Sequence, residues 1–443
     1  MDTVDTNALP VAVIGAGPVG LAAAAHLHER GIPFVVFEVG DDIAASVRDW
    51  AHVQLFSPWG FNIDGAARRL LEAHGWVAPE PGDYPTGAEF IDRYLAPLAL
   101  VPGIAVGVRS GRLVTGITRA GYDKLRTDGR ERAPFLITTE SIGGVERTPA
   151  RAVIDATGTW LRPNPIGAGG RPAVGEGRAG DRIVHGIPDV DGIDRLHYTG
   201  RRVAVVGSGH SAQNAIRDLA RLARRTPGTE VTWILRRAQV GQMFGGKADD
   251  QLPERGRLGA DAHALVSSGD IRLITGFRTA EVRASEGGTF LVDEDGRTIG
   301  PFDQIVGATG FRPDMGFLSE LRLDVDPVLE SARALAPLID PNVHSCGSVP
   351  PHGVDELRQP EPGLYVVGAK SYGRAPNFLL ATGYEQVRSV VAELAGDHSA
   401  ARQVHLVLPE TGVCSLDRQP ATGRRDASEP DTVVSAGISA CCG

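Results

Sequence analysis

The 443-residue chain carries 45 basic and 54 acidic side chains, and its net charge of −9 disfavours nucleic acid as a partner. Hydrophobic residues make up 42% of the chain, as in ordinary globular proteins, and no run approaches the roughly 20 apolar residues of a membrane span. The four cysteines and an acidic N-terminus unlike a secretory signal lead us to expect a soluble, cytoplasmic protein of two or three domains, without membrane contact or a disulfide framework.

The first predicted elements follow the order strand, glycine-rich turn, helix, strand over residues 11–38. Residues 11–14 and 34–37 are apolar runs of strand length. Residues 21–27 are rich in alanine and favour a helix, which Gly31 ends. This order predicts a βαβ unit of a dinucleotide-binding domain.

The turn of this unit has the sequence GAGPVG, with glycines at the spacing of a dinucleotide-binding fingerprint. Gly15 permits a tight turn, Gly17 lets the backbone approach a pyrophosphate at the helix N-terminus, and Gly20 allows close packing of helix on strand. Glu38 ends the second strand, where a carboxylate can accept hydrogen bonds from an adenosine ribose.

The middle of the chain predicts a capped helix followed by short strands. Thr86 and Glu89 have the spacing of a capping box. Residues 103–155 alternate in polarity and contain many turn residues, which favours β-strands. The apolar face of the helix that the capping box opens is formed by Phe90, Ile91, Tyr94, Leu95 and Leu98.

A second strand, glycine turn, helix and strand occupy residues 202–235. Gly207 and Gly209 repeat the fingerprint, with Ala212 at its third position. The second strand ends in Arg236 and Arg237 instead of a carboxylate, and guanidinium groups pair with a 2′-phosphate. We therefore predict NADPH over NADH here; the alternative is that both arginines are solvated surface charges.

The last predicted elements surround two further glycines. Residues 153–156 and 304–308 are apolar runs that lead into Gly158 and Gly310. Residues 364–367 predict a buried strand, and residues 379–394 have the length and apolar spacing of a helix packed on a sheet.

Four segments together carry a resemblance to a known family. The chain resembles the flavin-containing monooxygenases, and particularly their plant auxin-biosynthetic branch, over roughly residues 10–395. The segments are YPTGAEFIDRYLAPLA at 84–99, VAVVGSGHSAQNA at 203–215, FDQIVGATGFRPD at 302–314 and GLYVVG at 363–368.

The resemblance implies an α/β fold with two Rossmann-like domains. The FAD domain would be discontinuous, formed by residues 1–199 and 313–395, with an NADPH domain of residues 200–312 inserted into it. Residues 396–443, rich in polar residues and glycine, are predicted to be a mostly flexible tail.

The chemistry that the resemblance implies is oxygenation of a small nucleophilic molecule. In this family NADPH reduces FAD, O2 adds to the flavin at C4a, and the hydroperoxide transfers one oxygen atom. A homodimer is one option for the assembly.

The site residues that the resemblance implies fall into three groups. The FAD site would include Gly15, Gly17, Pro18, Gly20, Glu38, Trp50 and Gly368, and Gly158 and Gly310 would also contact a cofactor. The NADPH site would include Gly207, Gly209, Ser211, Arg236 and Arg237. Gln54, Lys370 and Asn377 would lie beside the reacting groups, where a lysine or a positive helix end would stabilise reduced flavin.

Two departures from the family pattern leave alternatives open. The family has a Phe, a Gly and a His before the second fingerprint, and here only His185 matches. This keeps reduction, and a non-catalytic redox sensor, as alternatives to oxygenation. Gly368 is followed by Ala369 and Lys370, whereas disulfide reductases of related fold have Gly-Asp, and this difference favours the monooxygenase branch.

The cysteines suggest a rival function. Cys441, Cys442 and Cys414 could together bind a soft metal or metalloid or pass electrons to a disulfide, and the chain has a faint likeness to flavoproteins encoded with arsenic-resistance genes. The alternative is an unstructured tail with inert thiols. A second small cluster, His344, Cys346 and His352, is either a metal site or structural.

Overall fold

A computed structural model of the chain describes residues 8–239, 244, 252–344 and 349–406. The strands in these residues are β1 Val11–Ile14, β2 Phe34–Phe37, β3 Val108–Arg109, β4 Leu113–Arg119, β5 Phe135–Ser141, β6 Gly144–Ala150, β7 Ala152–Asp155, β8 Ile183–His185, β9 Arg202–Val206, β10 Glu230–Ile234, β11 Arg272–Ile274, β12 Thr279–Ser285, β13 Gly288–Asp293, β14 Thr298–Phe302, β15 Gln304–Gly307 and β16 Leu364–Val366.

Helices fill most of the connections between these strands. The α-helices are α1 Pro18–Glu29, α2 Ala45–Arg48, α3 Trp59–Asn62, α4 Gly65–Ala73, α5 Gly87–Phe90, α6 Ala96–Leu100, α7 Pro102–Ala105, α8 Arg195–Tyr198, α9 His210–Arg225, α10 Pro253–Ser268, α11 Ala336–Ile339, α12 Val354–Leu357, α13 Leu380–Leu394 and α14 His398–Ala401. Short 3₁₀ helices lie at Arg130–Arg132, Glu176–Arg178, Gly180–Arg182, Gly316–Leu318 and Gly368–Tyr372, and a π-helical turn at Ile91–Leu95 joins α5 to α6. No helix in the described ranges is both long and apolar enough to cross a membrane.

The chain forms two parallel sheets with the same plan. The first has the strand order β16-β7-β1-β2-β3 and the second has the order β8-β15-β9-β10-β11. Each sheet is accompanied by a three-stranded antiparallel sheet, β4-β5-β6 in the first unit and β12-β13-β14 in the second. These sheets confirm the predicted α/β fold with two Rossmann-like units, because in each unit the central strand, β1 or β9, leads through the glycine turn into a helix and then a parallel neighbouring strand.

The central strands of each parallel sheet are buried on both faces, which is why they are mostly apolar. In the first unit α1 and α13 pack on one face, and the β4-β5-β6 sheet covers the other. In the second unit α9 and α10 pack on one face and the β12-β13-β14 sheet on the other.

The capping box and the helix after it confirm the prediction for this segment. Thr86 accepts from the Glu89 N–H at 3.2 Å, and the Glu89 carboxylate accepts from the Thr86 N–H at 2.8 Å. The five residues of the predicted apolar face are at most 2% exposed. The π-helical turn keeps them on one side of a helix that Pro97 would otherwise interrupt.

Two predicted boundaries need correction. β8 pairs in parallel with β15, and Val174 bridges Glu281, so the second unit begins well before the predicted residue 200. A strand of three residues with polar neighbours carries too little apolar pattern to be assigned to a sheet from sequence. The predicted tail also begins too early, since α14 is ordered against α13 and the Arg402 guanidinium donates to Asp355 at 2.8 Å.

Candidate functional site

A cavity of about 740 Å³ lies at the carboxyl ends of β1, β2 and β7 and reaches the N-terminus of α9 in the second unit. Doubly wound sheets bind their ligands in this position. The predicted site residues that line it are Gly15, Gly17, Pro18, Glu38, Trp50, Gln54, Gly158 and Ser211.

In the first glycine turn, Gly15 and Gly20 pack closely against the backbone, whereas Gly17 is open. A Cβ on Gly15 would lie 2.9 Å from the Ala156 carbonyl oxygen, and one on Gly20 would lie 1.8 Å from the Gly15 carbonyl oxygen. At Gly17, by contrast, no described atom lies within 4 Å of the Cβ position. The open side of Gly17 faces the cavity, so the turn has the shape that a diphosphate requires.

The positive end of α1 points at the same space. In the described structure no side chain caps the Gly17 end of α1, so its first N–H groups are available to an anion. The Glu38 carboxylate accepts from the Ala16 N–H at 2.7 Å and from the Gly40 N–H at 3.0 Å. Each carboxylate oxygen keeps a further lone pair, so Glu38 can also accept a ribose hydroxyl in the cavity.

The second glycine turn repeats this geometry. A Cβ on Gly207 would lie 2.1 Å from the Ala308 carbonyl oxygen, whereas at Gly209 no described atom lies within 4 Å of the Cβ position. α9 starts at His210, and Ser211 and Asn214 line the cavity beside it. The second turn therefore presents a helix N-terminus towards the space that the first unit encloses.

Aromatic side chains form the wall between the two turns. The ring centroids of Phe56 and His210 are 5.2 Å apart, and Trp160 stacks on Phe311 at 4.6 Å. The Trp160 indole donates to the Asp49 carboxylate at 2.7 Å. Sequence reasoning missed these residues; the one available signal was His210, which lies inside the second fingerprint.

Lys370 does not line the cavity, which differs from the position predicted for it. Its ammonium is completely buried and donates to the Asp155 carboxylate at 2.6 Å and to the Thr157 hydroxyl at 3.1 Å. It also lies 4.3 Å from the centre of the Phe317 ring. Because Thr157, Phe317 and the adjacent Ala369 line the cavity, the Lys370–Asp155 ion pair supports the cavity wall from behind.

Asn377 is also placed differently from its prediction. Its side chain is 1% exposed and donates to the Ile339 carbonyl oxygen at 3.1 Å, away from the cavity. The next three residues, Phe378 to Leu380, line the cavity instead, and they bring the N-terminus of α13 to it. A positive helix end is the predicted alternative to a lysine at this place, and the N-terminus of α13 is such a helix end.

Gly310 and Gly368 hold backbone conformations that favour glycine. Gly310 has φ +84° and lies at the return crossing between the units, where the Asn164 N–H donates to its carbonyl oxygen at 2.8 Å. Gly368 has φ +69°, and its N–H donates to the Gln386 side chain at 2.7 Å. Both positions shape the chain around the cavity through their backbone.

The two predicted NADPH arginines lie just after β10. Arg236 donates to the Ala168 carbonyl oxygen at 3.5 Å, and the Arg237 carbonyl oxygen accepts from the Gly276 N–H at 2.8 Å. Desolvation and the positive charges of neighbouring arginines, including Arg237 and Arg278, lower the pKa of the Arg236 guanidinium. A guanidinium remains charged despite such a shift, so this region is strongly positive.

Of the predicted cluster of His344, Cys346 and His352, the structure describes the surroundings of His352. His352 is 5% exposed and contacts the Gln386 side-chain amide at 3.0 Å, and burial lowers the pKa of both His352 and His185. No group of metal-ligating side chains occurs within the described residues. The four cysteines, Cys346, Cys414, Cys441 and Cys442, lie outside the described residues.

Comparison with known proteins identifies relatives in two functional groups. A family model described as pyridine nucleotide-disulphide oxidoreductase matches residues 9–367. The chain is 26% identical over 228 residues to the probable indole-3-pyruvate monooxygenase YUCCA8 of Arabidopsis thaliana, which covers 47% of this chain and 44% of that protein. The chain thus spans less than half the length of this curated relative, and the similarity confirms the predicted resemblance to flavin monooxygenases.

Solved structures share the fold across nearly their whole length. The bacillithiol disulfide reductase Bdr (YpdA) from Bacillus cereus matches with a TM-score of 0.63 at 20% identity, covering 88% of this chain and 99% of that one. A mutant flavin monooxygenase from Stenotrophomonas maltophilia matches with a TM-score of 0.55 at 22% identity, covering 88% and 98%. At these identities the matches establish the two-unit fold and do not distinguish oxygenation from reduction.

Replacing the open glycines should separate cofactor binding from folding. Gly17→Val adds a side chain into the cavity, so we expect purified protein to lose bound flavin while its free energy of unfolding changes by only about 1 kcal/mol. Gly209→Val, the matched variant, should retain flavin and lose reduction by a nicotinamide nucleotide. Flavin absorbance, urea denaturation and anaerobic reduction measure the three effects, and equal flavin loss in both variants would contradict the assignment.

Removing the charge of Lys370 alone should lower the free energy of unfolding more than removing the charges of both Lys370 and Asp155. Lys370→Met leaves the Asp155 carboxylate buried alone, and we expect about 3–5 kcal/mol of lost stability. The double variant Lys370→Met with Asp155→Asn should recover a large part of this loss and keep its flavin. A urea-denaturation double-mutant cycle tests this, and additive losses would mean that the two side chains do not depend on each other.

Proposed function

The chain belongs to the pyridine nucleotide-disulphide oxidoreductase family, and from this premise we propose that it is an FAD- and NADPH-dependent monooxygenase that oxygenates a small nucleophilic substrate. Members of this flavoprotein family are enzymes that use FAD and a nicotinamide nucleotide. When bound, FAD supplies hydride acceptance and reaction with O2, and the protein supplies binding, orientation and exclusion of water.

The residues of the first unit fit FAD. Gly17 and the N-terminus of α1 would hold the diphosphate, and Glu38 would accept a ribose hydroxyl. The N-terminus of α13, at Leu380, lines the cavity and would stabilise negative charge there. The two helix N-termini act through backbone N–H groups, so their contribution does not depend on a titrating side chain.

The second unit would bring the nicotinamide nucleotide to the same cavity. Gly209, His210 and Ser211 form the N-terminal turn of α9, and the latter two residues line the cavity beside Phe56. Arg236 and its neighbours, at the end of β10, favour a nucleotide with a 2′-phosphate. This arrangement supports NADPH as the reductant.

The observation that carries oxygenation over thiol reduction is the chemistry of the cavity wall. Among the described lining residues none is a cysteine, whereas reduction of a disulfide through the protein requires a thiol next to the flavin. The wall between the two turns is mostly apolar, with Val53, Leu55, Phe378 and Leu379 among its members. Such a wall excludes water, which an oxygenase needs to prevent wasteful release of hydrogen peroxide.

Labelled oxygen tests the proposal directly. With NADPH, ¹⁸O₂ and a panel of sulfides, amines and carbonyl compounds, we expect one compound to accelerate NADPH oxidation and to gain one ¹⁸O atom per NADPH. The double variant Cys441→Ser with Cys442→Ser should behave identically, since oxygen transfer needs no thiol. Reduction of a disulfide or a metalloid without label, abolished in the serine variant, would establish the reductase function instead.

The nucleotide preference makes a separate prediction. Arg236→Ala should lower kcat/KM for flavin reduction by NADPH about tenfold and leave the value for NADH nearly unchanged, because it removes one charged contact to the 2′-phosphate. Arg224→Ala, an exposed arginine of α9 paired with Asp270 at 2.6 Å, is the control. An equal fall with both nucleotides would show that Arg236 does not recognise this phosphate.

A further inference from the structure

A group of arginines surrounds the loop of residues 167–170, where the chain has crossed from the first unit into the second. We call this group the arginine cluster. It is notable in a chain whose net charge is −9. Its members are Arg236, Arg237, Arg278, Arg312 and Arg374.

The loop itself shows how close the side chains are. Arg236 donates to the Ala168 carbonyl oxygen at 3.5 Å, and Arg312 donates to the Gly170 carbonyl oxygen at 3.0 Å. A Cβ on Gly170 would lie 3.6 Å from a terminal nitrogen of Arg374. The three guanidinium groups therefore share one short stretch of backbone.

The cluster draws on both units of the fold. Arg236 and Arg278 follow strands β10 and β11 of the second unit, whereas Arg374 follows β16 of the first unit and precedes the cavity-lining Phe378 by four positions. The charge of Arg374 is close enough to contribute to the lowered pKa of Arg236. Like charges are thus gathered from opposite sides of the junction, and an anion placed between them would reduce their mutual repulsion.

Arg374 forms only a long ion pair with Glu330. The closest approach of its guanidinium to the Glu330 carboxylate is 3.7 Å, and both side chains are partly exposed. Arg278 and Glu294, by comparison, are 2.6 Å apart. A phosphate dianion offers a guanidinium shorter, charge-assisted hydrogen bonds than this pair provides.

We propose that Arg374 is part of the site for the 2′-phosphate of the nicotinamide nucleotide, so that the nucleotide is held by both units. This inference rests on the proposed use of NADPH. The phosphate would bridge Arg236 of one unit and Arg374 of the other, and NADPH would then hold the junction in a way that NADH does not.

Calorimetry on the flavin-loaded full-length protein tests the inference with two probes, 2′,5′-ADP and 5′-AMP. Arg374→Ala should weaken binding of 2′,5′-ADP about fivefold and leave 5′-AMP unchanged, as expected for one partly exposed charge contact. Glu330→Gln should tighten 2′,5′-ADP binding, because it removes the competing carboxylate. Arg333→Ala is the control, since Arg333 forms an exposed ion pair with Asp324 at 2.6 Å outside the cluster.

The outcomes distinguish this inference from the proposed function. If Arg236→Ala weakens 2′,5′-ADP binding and Arg374→Ala does not, the role of Arg374 is overturned while NADPH use stands. If neither variant changes the ratio of the affinities for 2′,5′-ADP and 5′-AMP, the proposed recognition of NADPH by these arginines is contradicted. If Arg333→Ala weakens 2′,5′-ADP binding as much as Arg374→Ala does, the effect comes from the net charge of the protein, and the inference is overturned.

Discussion

The architecture depends on one close approach of backbone to backbone, made once in each unit. Gly15 lies against the Ala156 carbonyl oxygen, and Gly207 lies against that of Ala308, at distances that leave no space for a Cβ. In each case two parallel strands end side by side and their chains then diverge. The crevice between the diverging chains receives the N-terminus of the following helix, and nucleotides bind in crevices of this kind.

The duplicated plan explains why the glycine turns of the two units meet at one cavity. Both units have the same strand order, but the outer strand β16 comes last in its unit, whereas β8 comes first. The chain consequently crosses between the units at two adjacent places, where Pro163 bridges Phe311 and Trp160 stacks on Phe311 at 4.6 Å. This junction places the second glycine turn over the first unit's cavity, with His210 against Phe56.

Local features could be predicted from the sequence, and features set by tertiary packing could not. The glycine turns, Glu38 and the capping box depend on residues within one or two elements, and the structure has them where the sequence predicted. Lys370 and Asn377 lie in an irregular segment, where the direction of a side chain depends on distant partners; the partner of Lys370 is 215 positions away in the sequence. Phe56 carried no motif, because its importance comes only from the approach of the second unit.

The positive potential in the cavity does not come from Lys370. Since the Lys370 ammonium is neutralised by Asp155 behind the wall, it contributes little field to a ligand. The cavity instead receives the N-termini of α1, α9 and α13, from both units. Helix ends are fixed dipoles that do not titrate, so the stabilisation of anionic groups is set by the fold and does not depend on the protonation state of a side chain. The arginine cluster, which we propose recognises the 2′-phosphate, lies at the junction of the two units and does not line this cavity.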